Sequence, residues 1–175
     1  MPNSEIKVNA ATTIEDKDIF KSALDTRNFE ISMFWQRSNY FLVLNTALGV
    51  GVFKTEWPES LVLALFGFFV SLLWFRVNLG SKYWQSRWEE RLAVVELQVA
   101  PNLKFFSADW PTINADVERS LQRSNHEDRF RKWLDKQTLK KHSVSYNMTL
   151  LSFFFMLGWV ILAALNVWRN WPYGC

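Results

Sequence analysis

The run MTLLSFFFMLGWVILAALNV, Met148–Val167, holds twenty consecutive residues without a charge. As a helix rising about 1.5 Å per residue it is roughly 30 Å long, the thickness of a bilayer's hydrocarbon core. A soluble domain has little use for such a segment and a bilayer requires one, so the chain reads as an integral membrane protein. A second span lies at Ser60–Val77, SLVLALFGFFVSLLWFRV, with Trp74 and Arg76 at its exit. Tyr40–Phe53, YFLVLNTALGVGVF, is uncharged over fourteen residues, too few to cross alone. Extension to residues 36–57 makes it the first span; a short re-entrant segment is the competing reading.

Composition narrows the class. Ten Trp and fifteen Phe are many for 175 residues, and Trp and Tyr favour bilayer interfaces, where the ring sits at headgroup depth and its polar atom stays wet. Trp35, Trp57, Trp74, Trp168 and Trp171 are therefore expected as interface anchors, with the Arg37 guanidinium snorkelling back to headgroups. The net charge of +3 comes from interspersed acids and bases, which leaves no basic face for nucleic acid. Cys175 is the sole cysteine, so no intramolecular disulfide and no Cys-based metal site is expected. The opening MPNSEIKVNAATTIEDKD lacks the basic and apolar regions of a cleaved signal peptide, and the first span is expected to target the chain. There is no Gly-rich phosphate loop, nucleophile elbow or His/Cys/Asp cluster, and His126 and His142 stand far apart. No catalytic residue, cofactor, metal or small-molecule ligand is inferred, and the chain is read as non-enzymatic.

The expected organisation is a flexible tail at 1–16 and an amphipathic helix at 17–35. Spans follow at 36–57 and 60–77, a helical cytoplasmic region at 78–143, a third span at 144–168, and an outward-facing tail at 169–175. Within 78–143, Trp84, Trp88, Leu92, Val95 and Val99 recur at steps of four, four, three and four, one apolar stripe. Lys82, Arg87, Glu89, Glu90 and Glu96 are placed elsewhere on the helix surface, the glutamates as a solvated face. The second span is expected to continue as a stalk, kinked near Gly80 and ended by Pro101. A short helix is expected at Thr112–Arg123, and another from Glu127 running into the third span. The stripe needs cover, from the Glu127–Lys141 helix or from a neighbouring subunit. A region of about seventy residues is marginal alone, which points to oligomerisation.

Orientation follows from Lys and Arg. The turn between the first two spans holds only Lys54, whereas Arg76–Asn147 holds thirteen such residues and the N-terminal region up to Asn39 holds five. Basic segments stay in the cytoplasm, so the N-terminus and middle region are placed inside and the C-terminus outside.

Asn45, Thr46, Ser71 and Asn166 are polar groups at membrane depth. The favoured reading is hydrogen bonding between helices; the alternative is a pore lined by Asn45, Thr46 or Ser71. Ala47-x-x-x-Gly51 and Gly67-x-x-x-Ser71 are small-residue pairs that let helices approach closely, within or between subunits. Together with the stripe they form the expected assembly surface. No Asp, Glu, Lys or Arg falls in the middle of a span, which argues against an ion-coupled transporter.

The stretches DTRNFEISMFWQRSNYFLVLNTALGVGVF and WFRVNLGSKYWQSRWEERLAVVE resemble the RipA-like octameric membrane protein family of small bacterial proteins. The likeness covers roughly Ile19–Val99, with the third span consistent in position, and is carried by Phe29, Phe34, Trp35, Arg37, Asn39, Trp74, Tyr83, Trp88 and Glu96. It implies a homo-oligomer of the cytoplasmic membrane, built of eight subunits, in a family linked to growth under host or stress conditions without an assigned chemistry. A looser likeness to two-pass effector domains of bacterial defence systems is opposed by the third span. The expected architecture is thus an all-α integral membrane protein with three transmembrane helices and a helical cytoplasmic stalk, assembled as a homo-oligomer. The expected function is that of a non-enzymatic, ring-like, self-assembling inner-membrane protein whose partners are lipids and copies of itself. An oligomeric pore or channel, as a stress or defence effector, is the alternative.

Overall fold

A computed structural model of the protein describes residues 16–123, 128–140 and 143–170, and among these the only regular structure is helical. The helices are α1 (Asp16–Lys54), α2 (Glu59–Val99), α3 (Trp110–Arg123), α4 (Arg129–Thr138) and α5 (Val144–Arg169). At about 1.5 Å per residue, α1 and α2 are each on the order of 60 Å long, twice the hydrocarbon thickness. They form an antiparallel hairpin, and α5 runs back along the first two-thirds of α2, so α2 is the central helix. Among the described residues, α2 and α5 are each long and apolar enough to cross a membrane; α1 does not reach that measure.

The buried face of α2 explains the packing. Ser60, Ala64, Gly67, Ser71, Trp74, Asn78, Ser81 and Gln85 alternate steps of four and three, and Leu92 continues the phase one heptad on. This 3.5-residue period keeps one seam facing its partners along the helix. The seam is small and polar, while Leu65, Phe66, Phe69 and Leu73 on the opposite side are exposed. That polarity is the reverse of a soluble bundle. It suits a helix whose outer face meets lipid and whose contacts rely on close approach and hydrogen bonds.

Several expectations need revision. α1 runs unbroken through the expected junction at residues 35 and 36, and α2 runs unbroken through Gly80. α4 stops at Thr138 and does not run into α5. A new start is set by Ser143, whose hydroxyl accepts the Tyr146 N–H at 3.3 Å and supplies an N-cap. Pro58 occupies the position just before α2, and α2 ends at Val99 because Ala100, preceding Pro101, leaves the helical region at φ −153°, ψ 67°. The partner of the α2 stalk is the first half of α1, not α4: Arg27 and Glu89 pair across them at 3.8 Å, and the Arg27 guanidinium lies 5.4 Å from the Phe106 ring centre. α3 and α4 share a crevice lined by Leu121 and Leu139, and neither contains a fully buried residue. The expected tail at 1–16 (save Asp16), Glu127, Lys141, both histidines, Trp171 and Cys175 lie outside the described residues.

Candidate functional site

The three long helices meet at one side chain. Asn45 of α1 is 2% exposed. Its carbonyl oxygen accepts the Ser71 hydroxyl of α2 and the Trp159 indole N–H of α5, each at 2.7 Å. Its own N–H2 donates to the Phe41 carbonyl one turn earlier at 2.8 Å. In an apolar medium such bonds have no water to compete with them, and they hold register as well as contact. Gly67 completes the arrangement. A Cβ there would stand 2.4 Å from the Trp159 ring, so only a glycine leaves room for the indole to reach Asn45.

The same seam carries further ties at intervals of two to three turns. The Ser60 hydroxyl donates to Asn166 Oδ1 at 2.7 Å, near the α1–α2 turn. Toward the other end, Asn78 donates to the Met148 carbonyl at 3.1 Å and to the Ser152 hydroxyl at 3.3 Å. Beyond it, the Ser145 hydroxyl donates to Gln85 Oε1 at 2.7 Å.

The expected site residues distribute unevenly over this frame. Asn45, Ser71 and Gly67 are inside the subunit, and Gly51 is half-buried, with Leu63 at 3.2 Å from where its Cβ would be. Asn45 and Ser71 bond to one another within the three-helix packing, so neither can wall an opening between subunits; Thr46 faces outward with its hydroxyl on the Leu42 carbonyl at 2.9 Å. Ala47 is exposed. Trp74 is not an interface anchor. It is fully buried, stacked on Phe41 at 6.0 Å and tilted against Phe155 at 5.8 Å, because its place in the seam points it inward. Trp35, Arg37, Trp57 and Trp168 are exposed.

The stalk stripe also divides. Leu92 is buried and Trp88, Val95 and Val99 are half-buried within the subunit, whereas Trp84 is 44% exposed with the Arg87 guanidinium 5.3 Å from its ring. Glu96 departs most from expectation: it is no part of a solvated face, being 1% exposed. Its two oxygens accept the backbone N–H groups of Phe105 at 2.6 Å and of Phe106 and Ser107 at 2.8 Å. Burial alone raises the pKa of such a carboxyl, but the three amides outweigh it and hold the group below its ordinary value. The clamp folds the segment after α2 back onto the stalk and carries the chain through Lys104, whose φ of 50° lies in the left-handed region.

Sequence reasoning missed Trp159, Asn78, Gln85 and the role of Glu96. The available signal was the 3.5-residue recurrence of small and polar residues from Ser60 to Gln85. The chemistry of the arrangement is fastening. Asn45 meets its three neighbours, Glu96 its three amides, and among the described residues no group of three His, Cys, Asp or Glu comes together. In a comparison with known sequence families, the model of the octameric membrane protein family (8xMP) matches residues 17–168, from the first turn of α1 to the last of α5. No curated protein and no solved structure matches the chain.

Proposed function

The chain belongs to the octameric membrane protein family, and from that premise we propose that it is a non-enzymatic scaffold of the bacterial cytoplasmic membrane. It crosses three times and closes with its copies into a ring. The observation that carries this reading is apolar surface beyond membrane depth. Lipid can cover Leu65, Phe69 or Val160 and headgroups can meet Tyr83 and Trp84, but Val94 and Leu97 stand on the part of α2 that projects past the bilayer, and they are 43% and 56% exposed. Water does not tolerate such a face at this density, and a second subunit is its natural cover.

α1 is the third span in this reading. Asn45 bonds to Ser71 and Trp159, which lie near the middle of the apolar stretches of α2 and α5. If those two helices cross, residues 38–54 of α1 lie at the same depth beside them. The uncharged stretch of α1 is short for a lone span, and α2 and α5 supply the polar partners it needs. The Lys and Arg balance places the N-terminus and residues 78–143 in the cytoplasm and the C-terminus outside.

A conducting pore is the less favoured reading, since the in-membrane polar groups Asn45 and Ser71 are engaged inside each subunit. Reconstitution into liposomes loaded with a potassium gradient and a potential-sensitive dye tests the choice. The proposed scaffold leaves the gradient intact at one oligomer per vesicle. Dissipation that scales with protein content contradicts it.

A further inference from the structure

Where α2 and α5 emerge on the basic side, their pairing leaves a crevice of about 410 Å3. Its floor is made by Phe75 and Leu79 of α2 and Leu150 and Phe153 of α5, and its rim carries Lys82 and Tyr146. The hydroxyls of Ser143, Ser145 and Thr149, which also line it, are engaged elsewhere: Ser143 accepts the Tyr146 N–H at 3.3 Å, Ser145 donates to Gln85 at 2.7 Å and Thr149 donates to the Ser145 carbonyl at 2.9 Å. Lys82 makes no ion pair among the described residues, and the Tyr146 ring is 65% exposed.

Depth and chemistry together define what fits. This step rests on the three-span reading above. With residues 60–77 and 148–167 in hydrocarbon, Phe75, Leu150 and Phe153 lie at acyl depth. The Ser145–Gln85 bond sets Tyr146 and Lys82 within about one turn of each other along the paired helices, Lys82 five residues past Val77 and Tyr146 two residues before Met148, at the inner face of the headgroup layer. An apolar floor at acyl depth beneath an unpaired ammonium and a phenol at phosphate depth is complementary to an anionic amphiphile. We propose that this crevice is a binding site for an anionic glycerophospholipid of the inner leaflet. One acyl chain lies against Phe75 and Phe153, and the phosphate is held by the Lys82 ammonium and the Tyr146 hydroxyl. A zwitterionic lipid fills the same floor but brings its own cation to the rim, so the site discriminates by charge.

The test is native mass spectrometry of the full-length protein released from detergent, with phosphatidylglycerol or phosphatidylcholine of matched acyl chains added. The wild-type protein is expected to retain about one phosphatidylglycerol per subunit and to prefer it over phosphatidylcholine. Lys82→Gln should weaken phosphatidylglycerol retention about fivefold and leave phosphatidylcholine unchanged, the scale of one basic residue at an anionic surface. Lys82→Arg should keep the preference. Tyr146→Phe, which removes a single oxygen, should weaken retention about fivefold and serves if Lys82→Gln fails to assemble. Equal retention of the two lipids by wild type overturns the proposal. So does wild-type phosphatidylglycerol retention in both Lys82→Gln and Tyr146→Phe, and so does a lipid-free oligomer whose crevice is covered by a neighbouring subunit. The oligomer mass appears in the same spectra. A soluble or monomeric species would therefore count against the scaffold reading, whereas an intact oligomer without lipid preference would count against this site alone.

Discussion

Asn45 is the residue on which the helical core depends. Replacing it with leucine keeps the volume but leaves the Ser71 hydroxyl and the Trp159 N–H without an acceptor. Asn45→Leu is expected to lower stability by about 1–3 kcal/mol, read from denaturant titration in detergent. A midpoint equal to wild type would show that the amide is replaceable by packing. Glu96 predicts a pH dependence. Its folded-state pKa lies below the unfolded value, so its contribution is complete above the ordinary carboxylate range and is lost as pH falls through the folded value. Hydrogen exchange at the Phe105–Ser107 amides, corrected for intrinsic rates, should lose protection at acid pH in wild type and lack it at neutral pH in Glu96→Gln. Protection that is unaffected by both changes would contradict the clamp. Asn45 was legible in the sequence, because an amide inside an apolar run must find a partner. Trp159 was not, since a tryptophan in a span reads as an interface residue until the glycine opposite is known. Glu96 was not legible either. A glutamate on a projecting helix reads as solvated, and its partners are backbone amides nine to eleven residues on, which carry no side-chain signature.

At the scale of the element, the seam of α2 decides which helices can meet. Gly67 and Gly158 give a matched pair of predictions. Gly67→Ala drives a methyl into the Trp159 ring and should destabilise by about 1–3 kcal/mol, the usual cost of overpacking. Gly158→Ala meets nothing within 4 Å in the subunit and sits mid-helix, so it should be neutral or stabilising by up to about 1 kcal/mol. The same unfolding titration checks both, and like signs would mean that α5 does not seat on α2 as described. The apolar run of α5 and the stalk continuing from the second span could both be read from hydropathy and period. The unbroken α1 could not. Its two halves differ so much in polarity that they read as separate elements, and only the antiparallel partner gives both the same role. The stripe was also out of phase at Trp84: the true seam passes through Ser81 and Gln85, polar residues that a search for apolar periodicity skips, before it reaches Leu92.

For the whole molecule, family membership and the distribution of exposed apolar surface point the same way. Trp88 is half-buried among its own chain, whereas Trp84 is turned outward on the stalk. Trp84→Ala is therefore expected to shift the population toward smaller species at low protein concentration, by sedimentation velocity in detergent, without loss of helical content. An unchanged distribution would place the subunit contact elsewhere. Assembly was only partly legible in the sequence. The need to cover apolar surface followed from the pattern, but which surface remains uncovered depends on how α1 and α2 pair. The central claim is self-assembly of a membrane-embedded subunit. Light scattering of the detergent-purified full-length protein, with the detergent contribution subtracted, tests it most directly. A single species with a protein mass near eight subunits, stable to dilution, is expected; a monomer or dimer across the same range would overturn the ring.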